Sequence, residues 1–208
     1  MAIDYYLPSS KWLLSVLNIP LQTPAGLALD KLDSSLIIVV CIILFTKLSG
    51  TSLGSIFLQK GHLCKGLSIG IIAFLVAVSG SFFVAVLFGA QDLTRARIIT
   101  WIPWIAIFIL GNAFNEELLF RGLFLNKIGL VTNKLLANLV LVLPFVLHHT
   151  GIDYSNDTLM FLAYLIPLAF IWGLIMQKTD SIWGSVLFHA GTDIPVILVI
   201  FSRLSTSS

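Results

Sequence analysis

Apolar positions along this chain come in long unbroken blocks, without the alternation of a half-buried strand or the one-sided stripe of a soluble helix. Stretches free of Asp, Glu, Lys and Arg cover Gly66–Gln91, Ile98–Asn115, Leu135–Ile152 and Thr158–Gln177, and Ser181–Ser202 is broken only by Asp193. A helix needs about 20 mostly apolar residues to cross hydrocarbon, so each block predicts a span. Ser34–Thr46 is short, but Lys47 can run its alkyl stem along the apolar surface to the headgroups. A first span then continues toward Leu53, which makes six. The missing period-two pattern excludes a transmembrane barrel. The expected fold is an all-α, polytopic transmembrane helix bundle, a single integral membrane domain over residues 1–208. Residues 1–33 lack the basic start and apolar run of a cleavable signal peptide. They read as an N-terminal interfacial segment, with Tyr5–Leu17 lying flat at the headgroups. Gly50–Gly66 reads the same way.

Composition agrees. Hydrophobic types make up 58% of the residues and charged types 11%, where a soluble domain is about a quarter charged. That excludes a cytosolic enzyme and a disordered chain. A net charge of +2 offers no basic surface for nucleic acid. Cys41 and Cys64 are too few for a disulfide framework or a four-thiolate metal site. Seven Lys and Arg fall on the side holding the 48–65, 122–134 and 178–180 connections and five on the other. The positive-inside rule makes the first side cytoplasmic, in a multi-pass protein of the cell (plasma) membrane.

The informative residues are those a bilayer should reject, because an ionisable side chain in hydrocarbon usually faces the bundle interior and has a task. Three clusters stand out: Glu116, Glu117 and Arg121; His148 and His149; His189 and Asp193. On a helix Glu117 and Arg121 are i,i+4 and can pair, and Glu116, about 100° away, has no such local partner. Glu116 is therefore the carboxylate available to accept and return a proton. Phe145 and His149 share a face, as do His189 and Asp193. Carboxylates and imidazoles from three helices suffice to activate a water and stabilise an oxyanion. Glu116, His149 and His189 would alternatively make a two-histidine, one-carboxylate zinc set. His-Glu-x-x-His and Gly-x-Ser-x-Gly strings are absent, so soluble zinc-protease and serine-hydrolase chemistry are unsupported.

In order, Glu116-Glu117-x-x-x-Arg121, Phe145-x-x-x-His149 and His189-x-x-x-Asp193 resemble the three-motif pattern of the CPBP (Abi) family, the CAAX prenyl-protease and bacteriocin-processing intramembrane proteases. Phe120-Arg121-Gly122-Leu123 and Ser181-Ile-Trp-Gly-Ser185 fit the same context. The likeness covers roughly 98–202, a protease-like core of four helices. It implies that Glu116 and His149 activate the attacking water, and that His189 and Asp193 stabilise the oxyanion or orient its donor. Glu117, Arg121 and Phe145 would support the site, and His148 stands outside the motif. Where the prenyl-proteases carry Asn this chain has Asp193, and an ionised carboxylate only accepts hydrogen bonds. The family has been described both with zinc and as metal-free glutamate proteases.

The pattern carries a geometric condition. If the third span ended near Arg121, Glu116 and His149 would differ by some 15 Å in depth at about 1.5 Å per residue. The glutamate helix must therefore continue from about Ile98 to Ile128, with a kink near Gly111 and Arg121 inside the bundle. The expected function is an intramembrane endopeptidase acting on a membrane-associated peptide or lipidated protein. The competing readings are a non-catalytic immunity or scaffold protein of the same fold and a proton-relay transporter. The lack of duplicated halves disfavours the last.

Overall fold

The computed structural model describes residues 12–150 and 155–204, and the regular elements among them are all helical. In chain order they are α1 (Trp12–Leu17), α2 (Pro24–Leu48), a short 3-10 turn (Leu53–Ile56), α3 (Leu63–Leu87), α4 (Arg95–Glu116), a π-helical segment (Glu117–Gly122), α5 (Leu123–Val131), α6 (Lys134–His148), α7 (Thr158–Thr179) and α8 (Trp183–Leu204). Local chemistry sets the starts. The Thr23 hydroxyl accepts from the Gly26 amide at 3.0 Å, and Pro24 fills a first-turn position that needs no N–H. Asn133 and Asp157 cap α6 and α7 by accepting from the Leu136 and Met160 amides at 2.9 and 3.0 Å. Helix α7 stops where Asp180 turns left-handed at φ 50°.

Among the described residues four helices are long and apolar enough to cross a membrane: α3, the continuous rod Arg95–Val131, α7 and α8. Of these α8 is the enclosed one, with 67% of its apolar stretch buried against 17% in α3. The α3–α8 pair packs closely because small residues meet there. A Cβ added to Gly70 would lie 2.7 Å from the Gly184 carbonyl oxygen, and one on Gly191 would lie 3.0 Å from the Phe74 Cα. In lipid, where apolar burial does not drive helices together, such close backbone approach supplies the contact energy. Ile105, Ala113, Trp172, Ile197 and Phe201 continue the core between α4, α7 and α8.

Four of the six expected spans thus satisfy both length and composition. Helix α6 has 15 residues, about 22 Å at 1.5 Å per residue, short of a hydrocarbon core of roughly 30 Å. Helix α2 starts at Pro24, ten residues before Ser34, and carries Asp30, Lys31 and Asp33 into the bundle. The last part of the expected N-terminal segment therefore belongs to α2. Residues 5–11 lie outside the described residues, and Trp12–Leu17 is α1. The Gly50–Gly66 stretch is pinned rather than laid on the surface: Ile56 and Phe57 are buried, the His62 amide donates to the Thr179 carbonyl at 2.7 Å, and the Ile182 amide donates to that of Phe57 at 3.0 Å.

The long glutamate helix is present, running unbroken from Arg95 to Val131. Its irregularity lies at Glu117–Gly122 instead of near Gly111. A π segment adds a residue to the turn and rotates the helix beyond it, whereas Gly111 remains in regular helix beside α2.

Leucine at Gly184 should force α3 and α8 apart and cost about 1–3 kcal/mol. Denaturant unfolding in detergent should show that loss, and leucine at Gly80, where a Cβ meets nothing within 4 Å, should not.

Candidate active site

The continuous Arg95–Val131 rod brings three charged side chains inward at its irregular turn. Glu117 and Arg121 are wholly enclosed, at 0% and 1% exposure. Arg121 Nη1 donates to Glu117 Oε1 at 2.7 Å, and Nη2 donates to the Ala169 carbonyl on α7 at 2.9 Å. The other Glu117 oxygen accepts from the Ser185 hydroxyl on α8, and Oε1 also faces His189 Nδ1 at 2.9 Å. A carboxylate only accepts, so that His189 nitrogen carries the proton. The guanidinium lies 4.8 Å from the Phe145 ring centroid and 5.2 Å from that of Trp172. Burying two charges is costly unless every donor and acceptor around them is engaged. Here one pair ties the π segment to both α7 and α8.

Glu116 faces the other way, into a cleft. Its Oε2 lies 3.6 Å from His189 Nε2 and 3.8 Å from His149 Nε2. That oxygen is buried and has no hydrogen-bond partner among the described residues. His149 Nδ1 meets the Phe145 carbonyl oxygen at 2.8 Å. A carbonyl cannot donate, so Nδ1 bears a hydrogen, and in the neutral ring Nε2 is the acceptor nitrogen facing Glu116. Phe145 wedges the cluster from behind, its ring 4.7 Å from His149 and 5.9 Å from His189. His189 lies flat on Trp172, with ring centroids 3.8 Å apart and planes 7° from parallel. Its Nε2 stands 3.4 Å from Asp193 Oδ1, and Asp193 Oδ2 accepts from Asn112 Nδ2 at 2.9 Å.

All seven residues singled out from the sequence, Glu116, Glu117, Arg121, Phe145, His149, His189 and Asp193, therefore meet in one cluster. His148 is exposed and reaches it only through ring contacts with Phe120 and His149. Sequence reading missed four further members. Asn112 and Ser185 each sit one turn before a recognised residue, so their spacing was a usable signal. Trp172 carries none. Lys31, which the sequence reading left in the N-terminal interfacial segment, lies inside α2 with its ammonium 3.9 Å from Glu116 Oε1. Asp30, Lys31 and Asp33 had hidden the start of that helix from a search for charge-free runs.

Lys31, Asn112, His149, Trp172, His189 and Asp193 line a cavity of about 40 Å³. A water takes roughly 30 Å³ of liquid, so the space suits a water and is too small for a peptide. Glu116, His149 and His189 have the donor types of a zinc site. Among the described residues, however, no group of three His, Cys, Asp or Glu side chains stands where it could hold a metal ion. The chemistry of this cleft is accordingly derived through the side chains alone.

A helical bundle with four long apolar spans and an acid–imidazole cluster enclosed among them is an integral membrane protein with ionisable groups buried inside it. Residues 98–195, which contain all seven motif positions, match the family described as type II CAAX prenyl endopeptidase Rce1-like. Over that segment, just under half of the chain, the protein is similar to this family of membrane proteases. No curated protein and no solved structure matches the chain.

Alanine at Arg121 would leave Glu117 charged, buried and short of a partner, and should cost about 3–5 kcal/mol. Lysine should restore only part, because one ammonium cannot reproduce the planar fork that bridges Glu117 and Ala169. Unfolding titrations of the two variants in detergent check both statements.

Proposed function

We propose that the protein is an intramembrane endopeptidase in which Glu116 and His149 activate the attacking water. One observation carries this reading: the buried, unpartnered Glu116 Oε2 faces His149 Nε2 across 3.8 Å beside a water-sized cavity. Two acceptors facing each other are complementary to one water, which has two protons to give. As the water oxygen bonds to the scissile carbonyl carbon, its proton passes to Glu116 and the carbonyl electron pair moves onto oxygen. When the tetrahedral adduct collapses, the C–N bond breaks and Glu116 returns that proton to the departing amine. The products are a carboxylic acid and a free amine, and Glu116 is again a carboxylate.

His189 carries a proton on each ring nitrogen in this reading, since carboxylates face both. Nδ1–H is held by Glu117 and Nε2–H points into the cleft. An imidazolium at 189 with Lys31 and Arg121 balances Glu116, Glu117 and Asp193, so the cluster is neutral as a unit. Donors aimed at the developing oxyanion in a water-poor site are usually the largest single contribution to such catalysis. Asp193 acts by orienting the groups around it.

The cavity is too small for a peptide, so side chains or helices must part to admit one. The substrate is a membrane-associated peptide or lipidated protein tail presented from the bilayer, and the plasma membrane is the proposed location.

In proteoliposomes, a set of prenylated peptides ending in Cys-aliphatic-aliphatic-X should be cut by the wild type, with Glu116→Ala and His149→Ala each reducing cleavage at least ~1,000-fold, as loss of a proton-transfer group does. Equal cleavage by these variants would end the proposal. Elemental analysis should find well under one zinc per chain, and chelation should leave the rate unchanged. Stoichiometric zinc with chelator-sensitive cleavage would move water activation to the metal.

A further inference from the structure

We infer that Asn112, on α4, is a catalytic residue that donates its side-chain amide N–H to the oxyanion. The inference rests on the endopeptidase reading and concerns which groups hold the negative oxygen after water adds.

Among the donors around the cleft, Trp172 lies flat against the His189 ring, and its buried Nε1–H has no partner among the described residues. The Thr192 hydroxyl donates to the His189 carbonyl at 2.8 Å, and the Tyr164 hydroxyl is directed at the Thr192 carbonyl at 3.5 Å. The Lys31 ammonium stands with Glu116. Asp193, ionised, only accepts. Asn112 is different: its amide has two N–H groups, and the single bond it makes, to Asp193 Oδ2 at 2.9 Å, uses one of them.

Its placement matches the task. Asn112 and Glu116 are i,i+4 on one face of α4, and Asp193 and His189 are i,i+4 on the facing side of α8. The helices thus form two rungs about 5.4 Å apart along α4: Glu116 opposite His189 at 3.6 Å, and Asn112 opposite Asp193 at 2.9 Å. Water is activated at the first rung. A carbonyl attacked there has its oxygen toward the second, within reach of both His189 Nε2–H and the remaining Asn112 N–H. The carboxylate at 193 has a specific use in this arrangement. Because it only accepts, it turns the nitrogen end of the Asn112 amide toward the cleft and the oxygen end away. Asp193 is a positioning residue acting through Asn112 and His189.

The electron count closes without a further reagent. The carbonyl electron pair becomes the oxyanion lone pair, accepts from Asn112 and His189, and re-forms the double bond as the C–N bond breaks and Glu116 protonates the amine.

The test is steady-state cleavage of the same prenylated peptides in proteoliposomes, with kcat and KM measured separately. Asn112→Ala should lower kcat about 100- to 1,000-fold, the range for losing one oxyanion donor, and leave KM within a few-fold. Asn112→Asp removes the donor and sets two carboxylates face to face, so it should be no better. The exchange N112D/D193N puts an amide back on the same rung from the opposite helix and should recover at least tenfold over Asn112→Asp. A kcat for Asn112→Ala within twofold of wild type overturns the inference, as does a folded exchange variant no faster than Asn112→Asp. Thermal melts establish folding, and where the exchange variant does not fold, Asn112→Ala decides alone. Glu116→Ala, run alongside, separates the two claims. An inactive Glu116→Ala beside a fully active Asn112→Ala condemns only the amide donor. Activity in Glu116→Ala, or a wild type that cuts none of the peptides, condemns the endopeptidase reading and this inference with it.

Discussion

The interaction on which the rest of this structure depends is the buried pair Glu117–Arg121. By itself the pair is a poor source of stability, because desolvating two charges among lipid-embedded helices costs as much as their attraction returns unless the surroundings complete their hydrogen bonding. Here they do so for the carboxylate, which Ser185 and His189 occupy, and for the guanidinium end nitrogen taken by Ala169, while Arg121 Nε has no partner among the described residues. The pair therefore cannot form correctly unless α7 and α8 are seated against the π segment. Its consequence is registry. The bonds that satisfy Glu117 also fix the His189 ring, and with Trp172 stacked behind it the imidazole presents only Nε2 to the cleft.

The same logic explains adjacent glutamates. On a regular helix neighbours diverge by about 100°, so one carboxylate can face the structural network while the next faces the cleft. Glu117 is the anchored one and Glu116 the available one. Two adjacent acids assigned different environments is the arrangement by which a site separates a fixed charge from a proton carrier. The π segment begins right after Glu116, so Glu116 itself closes the regular helix and Glu117 and Arg121 lie within the π turn.

Much of this was legible in the sequence because lipid imposes simple rules. Charge-free runs marked α3, α4, α7 and α8, and a depth argument alone required the helix to pass through Arg121, as it does. Three things were not legible, each for a physical reason. Helix α2 was cut short because its first turns carry Asp30, Lys31 and Asp33, and the ammonium of Lys31 faces Glu116. A rule that treats charge as the end of a span fails where charge belongs to a site. The kink was expected near Gly111, but Gly111 stays in regular helix at ordinary contact distance from Leu32 of α2, and the irregularity lies at Glu117–Gly122. Trp172 gave no signal since an aromatic residue in an apolar run is indistinguishable from filler until its ring is seen on His189.

Lys31 also bears on where the working unit ends. The family match starts at residue 98, and every recognised motif lies beyond it, which invites treating the N-terminal helices as packing material. The ammonium near Glu116 argues otherwise. Without Lys31, the cleft would hold Glu116, Glu117 and Asp193 against Arg121 and at most one imidazolium, a net negative pocket in a medium that screens poorly. A cation from α2 removes that excess, and its long side chain can reach inward from a helix whose backbone stays at the edge of the bundle. A helix outside the family match thus places a cation beside the buried cluster within it, even though it contributes none of the family motif.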